Sequence, residues 1–315
     1  MKVSRLTEAP NMSRDSALKW VFIASMLLFA TFLVMRFGLI FPVADFVRPA
    51  SVAVLLGAFG LYYHKNGTTN FVICLHGLTH VVLYTAIYTV VMYSLATNNA
   101  PLVDAKLMAA DATIGIHVPD IVTWTRSHST LHDWLFTAYN SLSIQTAFVI
   151  CLLGFTGDRI NLEDYVLQFM FSTAIAVGIF AVAPAMGPCV EYNYEGTAAQ
   201  MGYVHHLNEL RSGERTVVTW RNAEGLITFP SFHTTWAILL AWACRRRRYL
   251  NVALWILNGI VVLSTVALGW HYGVDVPGGI ILAVVAISAS SLLRRFRYDQ
   301  NGEPKRLIHK TSTEA

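Results

Sequence analysis

The sequence predicts an all-α protein, a polytopic transmembrane helical bundle of about eight spans. Three observations predict it. Only 13% of the 315 residues are charged, whereas a water-soluble domain carries about 25%. The apolar residues fall in long runs, and a helix needs about 20 of them to cross a bilayer. Arginines and lysines gather between and after those runs, as basic residues do on the cytoplasmic side of a membrane. The net charge of +4 is small, and no basic stretch is interleaved with aromatics, so nucleic acid is not a partner this composition indicates.

A polar leader with Lys2, Arg5, Arg14 and Lys19 comes first. The run that follows, 19–41, is longer than a signal-peptide core and has no small-residue cleavage pattern, so it is expected to stay as a span. The second span, 46–63, is the weakest, because Asp45, Arg48 and Pro49 crowd its start. The third is 71–96. The stretch 97–132 holds Asp104, Asp111, Pro119 and Asp120, and reads as interfacial helices on the outer surface. Spans four and five are 133–154 and 165–186. Tyr139, Asn140, Ser141, Ser143 and Gln145 put polar groups into the fourth, where they line a cavity or bond to neighbouring helices.

The segment 187–228 sets Glu191, Glu195, Glu209, Glu214 and Glu224 against Arg211, Arg215 and Arg221, a balance that suits an outer loop. Spans six, seven and eight are 227–244, 249–269 and 272–293. Between the sixth and seventh lies the block Arg245 to Arg248. The tail holds Arg294, Arg295, Arg297, Lys305, Arg306 and Lys310. Eight spans put the leader, the block and the tail on the cytoplasmic side together.

Cys74, Cys151, Cys189 and Cys244 show no CxxC spacing, so neither a zinc site nor a redox motif is expected. His76 and His80 share a helical face and are read as a polar contact between helices, since no third ligand at matching depth accompanies them. His117, His128 and His132, with Asp120 and Asp133, read as a wet interfacial cluster. No metal or other cofactor is called for.

Two stretches carry chemistry. In FPSFHTTW, Ser231 is a natural helix N-cap behind Pro230, and His233 lies in the first turn. A helix start exposes unpaired N–H groups and the positive end of the dipole, which favours phosphate. In GWHYGVD, His271 and Asp275 are four residues apart, one helical face. A carboxylate on one ring nitrogen fixes the tautomer and frees the other nitrogen to attack. Span counting brings both imidazoles to the same membrane face. Either histidine alone reads as an interfacial or hydrogen-bonded group; the pair in this setting reads as a catalytic dyad. Gly273, Gly278 and Gly279 allow close helix approach around it.

Pro230-Ser231-Phe232-His233 and the His271 to Asp275 spacing resemble the PSxH and HxxxD blocks of the type 2 phosphatidic acid phosphatase (PAP2) superfamily. The resemblance implies a six-helix catalytic core, a phosphohistidine on His271, His233 as general acid, Asp275 as orienting carboxylate, Ser231 on the phosphate, and no metal. The family's third block usually has an arginine six residues before its histidine. Thr265 stands there, preceded by Ser264, and the Lys…Arg-Pro first block is not recognisable. Ser264-Thr265, FPSFH and the turn Ala183-Pro184-Ala185-Met186-Gly187-Pro188 are similar to the branch containing aureobasidin-sensitive inositol phosphorylceramide synthases. So is the stretch from Asp104 through Asp111 to Tyr139 and Gln145. With two family basic residues missing, Arg211, Arg215 and Arg221 are candidates to neutralise the phosphate, as guanidinium suits its oxygens. For each of them a solvated loop is the competing reading.

The resulting expectation divides the chain into a leader with two helices (1–70), a catalytic membrane domain (71–293) and a basic tail (294–315). The substrate would be a lipid phosphate or phosphodiester reached from the bilayer, with water or a polyol or sugar hydroxyl as acceptor. The branch resemblance implies a bacterial inner membrane with the site on its extracytoplasmic face. The competing class is a non-enzymatic lipid transporter or scaffold in which both imidazoles are dispensable.

Overall fold

A computed structural model describes residues 12–300. Lys2 and Arg5 of the leader, Lys305, Arg306 and Lys310 of the tail, and the side chains of Arg14 and Arg297 lie outside the described residues. The described residues fold almost entirely as helices: α1 (Met12–Phe37), α2 (Val43–Lys65), α3 (Thr69–Ala96), α4 (Asp104–Thr113), α5 (Val118–Ser127), α6 (Ser129–Asn140), α7 (Leu142–Phe155), α8 (Arg159–Val182), α9 (Pro188–Glu191), α10 (Ala198–Ser212), α11 (Phe232–Ala243), α12 (Arg248–Ala267) and α13 (Asp275–Gln300). No strand forms among the described residues; Ile40 and Val217 make one isolated bridge.

Among the described residues six helices are long and apolar enough to cross a membrane: α1 from Ala17, α2, α3, α8, α12 and α13 to Arg295. The protein is thus a multi-pass membrane protein. The expected span 133–154 is instead α6 and α7, bent by 47° between Asn140 and Leu142; counted as one, they make seven. The break falls where Ser141 turns its hydroxyl onto the Ala138 carbonyl (2.6 Å), a local bond that competes with the helix ladder. The expected span 227–244 yields α11 of only 12 residues. Its first residues run as an extended approach through Pro230, and Ser231 caps the helix late.

In α3 and α8 56% and 61% of the apolar window is buried, against 17% in α2. So α3 and α8 form the centre, and α2 is peripheral, turning Val43, Val54 and Leu61 outward as a lipid-facing helix does. α11 is packed among α7, α8, α12 and α13. One close crossing sets the site: a Cβ at Gly279 of α13 would stand 2.4 Å from the Ser231 carbonyl oxygen, so only glycine lets α13 lie against the start of α11.

The helices order the two ends of the bundle. α8 and α12 finish, and α11 and α13 begin, at the end that carries both motif histidines. At the other end Asp164 accepts from Arg245 (3.2 Å) and Arg294 (2.6 Å), tying α8 to the loop after α11 and to α13. Lys19 pairs with Glu163 nearby.

Candidate active site

Ser231 is fully buried and caps α11, its Oγ accepting from the Thr234 N–H (3.3 Å) and hydroxyl (3.1 Å). Its own N–H donates to the Asp275 carbonyl (3.1 Å), and the Thr235 hydroxyl donates to the Gly279 carbonyl (2.9 Å). These bonds lock the first turns of α11 and α13 together, and that fixes His233 relative to His271. The structure therefore gives the Ser231 hydroxyl to the helix cap.

His271 sits in the turn between α12 and α13, with 2% of its surface exposed. The Thr265 carbonyl accepts from the backbone N–H groups of both Trp270 and His271 (3.1 Å each). Asp275 Oδ2 lies 3.2 Å from His271 Nδ1 and accepts from the Tyr272 N–H (2.9 Å). Burial pushes the His271 imidazole down to about 4, opposed by a hydrogen bond to the Thr228 carbonyl, so the ring is neutral at pH 7. The His233 ring stands 5.9 Å from it, centroid to centroid, tilted by 64°. The Tyr139 ring stacks on His233 at 4.1 Å, its hydroxyl 3.4 Å from Nδ1, and Trp270 lies parallel to Tyr139 at 6.1 Å.

Both imidazoles open onto one cavity of about 260 Å³, walled also by Tyr139, Tyr203, Glu224, Thr228 and Trp270. The three candidate arginines are elsewhere. Arg211 donates to the Ala100 carbonyl (2.8 Å) and lines a separate polar cavity with His205, Asn208 and Glu209. Arg215 holds Glu209 through Nε (2.8 Å), and Arg221 is exposed in a short 3₁₀ turn. Within the mixed polar segment, Tyr139 faces the cavity while Gln145 Nε2 bonds to Ser141 (2.8 Å) inside its own chain segment. Among the described residues no group of three His, Cys, Asp or Glu side chains is arranged to hold a metal ion.

A family model described as the PAP2 superfamily matches residues 105–289, more than half of the chain. The chain belongs to the PAP2 superfamily. No curated protein and no solved structure gives a significant match. PAP2 membership points to phosphatase-type chemistry on lipid phosphates. The PAP2 match begins just after Asp104 and takes in Asp111, Tyr139, His233, His271 and Asp275, while α1, α2 and α3 precede it.

Two residues beside the His271 turn were read in the sequence only as part of an interfacial stretch and of a stretch of resemblance, with no role of their own. Asp104 and Asp111 of α4 are 3% and 0% exposed. Each accepts backbone N–H groups of loops beside the dyad: Met186 and Gly187 for Asp104, Gly273 and Val274 for Asp111. Burial raises the Asp111 carboxyl, and its two N–H partners pull it back. The signal was periodicity. Asp104, Leu107 and Asp111 are all buried, spaced i, i+3 and i+7, so the two carboxylates stand in an apolar stripe where only satisfied groups survive.

Proposed function

We propose that this PAP2-superfamily protein is a lipid phosphatase or phosphotransferase working through a phosphohistidine on His271. The observation that carries the reading is the pair of imidazoles 5.9 Å apart on one cavity, one of them backed by Asp275. In the first step the His271 Nε2 lone pair attacks phosphorus and the bond to the leaving oxygen breaks. His233, held protonated by the arriving phosphate anion, gives that oxygen a proton. His271 now bears phosphorus on Nε2 and hydrogen on Nδ1, and Asp275 offsets the imidazolium charge. In the second step an acceptor O–H gives its proton to His233, its oxygen attacks phosphorus, and the P–N bond breaks.

With a lipid phosphate monoester as donor, the lipid alcohol leaves and water as acceptor releases phosphate; with a phosphodiester lipid whose head-group alcohol leaves, a polyol or sugar hydroxyl as acceptor yields a new phosphodiester lipid. Ser264-Thr265 and FPSFH favour transfer, as in the inositol phosphorylceramide synthase branch. The arginines at the far end of the bundle favour an extracytoplasmic site in a bacterial inner membrane. Residues 71–293 would form the catalytic domain. Arg211, Arg215 and Arg221 would reach the phosphate only by leaving their present partners or positions. The test is incubation of the purified full chain with a panel of lipid phosphates and phosphodiester lipids, with and without inositol, scoring free phosphate from the first against new phosphodiester lipid from the second. His271→Ala is run in parallel. Turnover that survives His271→Ala unchanged refutes the reading and favours a non-enzymatic lipid transporter or scaffold.

A further inference from the structure

We propose that Asp104 and Asp111 of α4 are positioning residues that aim the His271 nucleophile; this rests on the reading of His271 given above. Neither carboxylate lines the cavity, so neither touches substrate. Asp111 spends both oxygens on the turn that follows His271: Oδ2 accepts from the Gly273 N–H (2.9 Å) and Oδ1 from the Val274 N–H (2.8 Å). With Thr265 taking the N–H groups of Trp270 and His271, and Asp275 that of Tyr272, each N–H from Trp270 to Val274 has a named acceptor. The backbone carrying the nucleophile has no free donor with which to shift.

Asp104 ties this turn to a second loop. Its Oδ2 accepts from the Met186 N–H (2.8 Å), and its Oδ1 from the Gly187 N–H (2.9 Å) and the Tyr272 hydroxyl (2.9 Å). The proline-rich turn after α8 and the residue next to His271 thus share one carboxylate. A buried carboxylate is costly unless it is fully bonded, and charge-assisted bonds are the strong ones. Carboxylates placed here trade that cost for a rigid frame. The frame is tight as well: a Cβ at Gly273 would stand 2.5 Å from Ile116 Cδ1, so the turn is pressed against the segment that follows α4.

Asp→Asn keeps the shape but sets an NH₂ donor against a backbone N–H. A nucleophile displaced by about 1 Å loses on the order of 10²-fold in rate while ground-state binding is little changed. The test compares the full chain and its variants in lipid nanodiscs for binding of two probes. Orthovanadate adopts the five-coordinate geometry of a phosphoryl group under attack; inorganic phosphate does not. Asp111→Asn is expected to weaken orthovanadate about 30-fold and kcat on the best lipid phosphate similarly, with phosphate affinity and KM held within about threefold. If Asp111→Asn or Asp104→Asn fails to fold, Tyr272→Phe deletes one bond to Asp104 and keeps the ring. It is expected to cost about fivefold in orthovanadate affinity. Wild-type orthovanadate affinity in the folded variants, or equal loss for both probes, overturns the proposal. Should His271→Ala bind orthovanadate as well as the wild type, or the wild type not bind it, the nucleophile assignment itself fails, and the clamp loses its purpose with it.

Discussion

Two buried carboxylates, Asp164 at one end of the bundle and Asp111 at the other, are satisfied in opposite ways. Asp164 takes two guanidinium groups, from Arg245 and Arg294, on one oxygen. Asp111 takes two backbone N–H groups, one on each oxygen, and pairs with no cation among the described residues. The arginine end joins helices through flexible side chains, which tolerate small movements. The histidine end joins loops through main-chain donors, which do not. An ion cluster there would also place a permanent cation beside His271, which has to be neutral to act as the proposed nucleophile. The difference teaches that burial of charge fastens one end and aims the other.

The largest effect expected from that contrast is on turnover. His271→Ala should lower kcat by about 10⁴-fold or more, because a covalent route loses its nucleophile. Thermal stability should stay within a few degrees, since the ring's bonds are few beside those of the surrounding backbone. A melt that collapses along with activity would mean that the dyad is a structural fastener, and the two ends would no longer differ. Asp164→Asn is the mirror experiment. It leaves Arg245 and Arg294 without their anion. The cost should be about 2 kcal/mol, lower than for a deep pair because Arg294 is partly exposed. That corresponds to roughly 3 °C in Tm for a chain of this length. kcat below the melting range should be unchanged; a tenfold drop would show that the far end also sets the site.

Acid provides the next test. Burial lowers the His271 imidazole from an ordinary 6.5 to about 4. Between those pH values the unfolded chain binds a proton at this position and the folded chain does not. Its contribution to stability is therefore complete above pH 6.5 and is lost as pH falls through about 4. The same burial keeps the His271 ring neutral, so if His271 is the proposed nucleophile the acid limb of kcat/KM that it governs should lie well below pH 6.5. A limb at the ordinary histidine value would show a hydrated ring, and the dry, aimed end would lose its main feature.

How much of this was legible depends on the range of the interactions. The Ser231 cap was readable because it is local; the His271–Asp275 contact forms as well, but through the turn before α13 and not along the one helical face that the spacing suggested. The long spans were readable from apolar runs. The break between α6 and α7 was not, because a hydropathy window averages across one serine that bonds back to its own turn. The three outer arginines were plausible phosphate ligands by charge alone, yet a guanidinium takes the acceptor that the tertiary fold brings to it. For Arg211 this is a carbonyl 111 residues away. Asp104 and Asp111 showed the reverse failure. Their helical spacing was visible, but the partners that justify burying them are backbone groups, which no side-chain pattern reveals.

The smallest expected effect concerns Tyr139. Its ring lies flat on His233 at 4.1 Å, while its hydroxyl is 3.4 Å from Nδ1, long for a hydrogen bond. Tyr139→Phe keeps the stack and removes only this weak contact, so kcat should fall about two- to threefold. Tyr139→Ala removes the plane that holds the imidazole; a stack of this kind is worth about 1 kcal/mol, and a roughly fivefold loss should follow. Single-turnover phosphorylation of His271 separates the two, because a loosened His233 slows departure of the leaving group before it affects substrate binding. A loss beyond about 10²-fold in Tyr139→Phe would put the phenol in the proton path itself. The histidine end would then rely on a side-chain donor as well as its backbone frame, and the contrast with the arginine end would narrow.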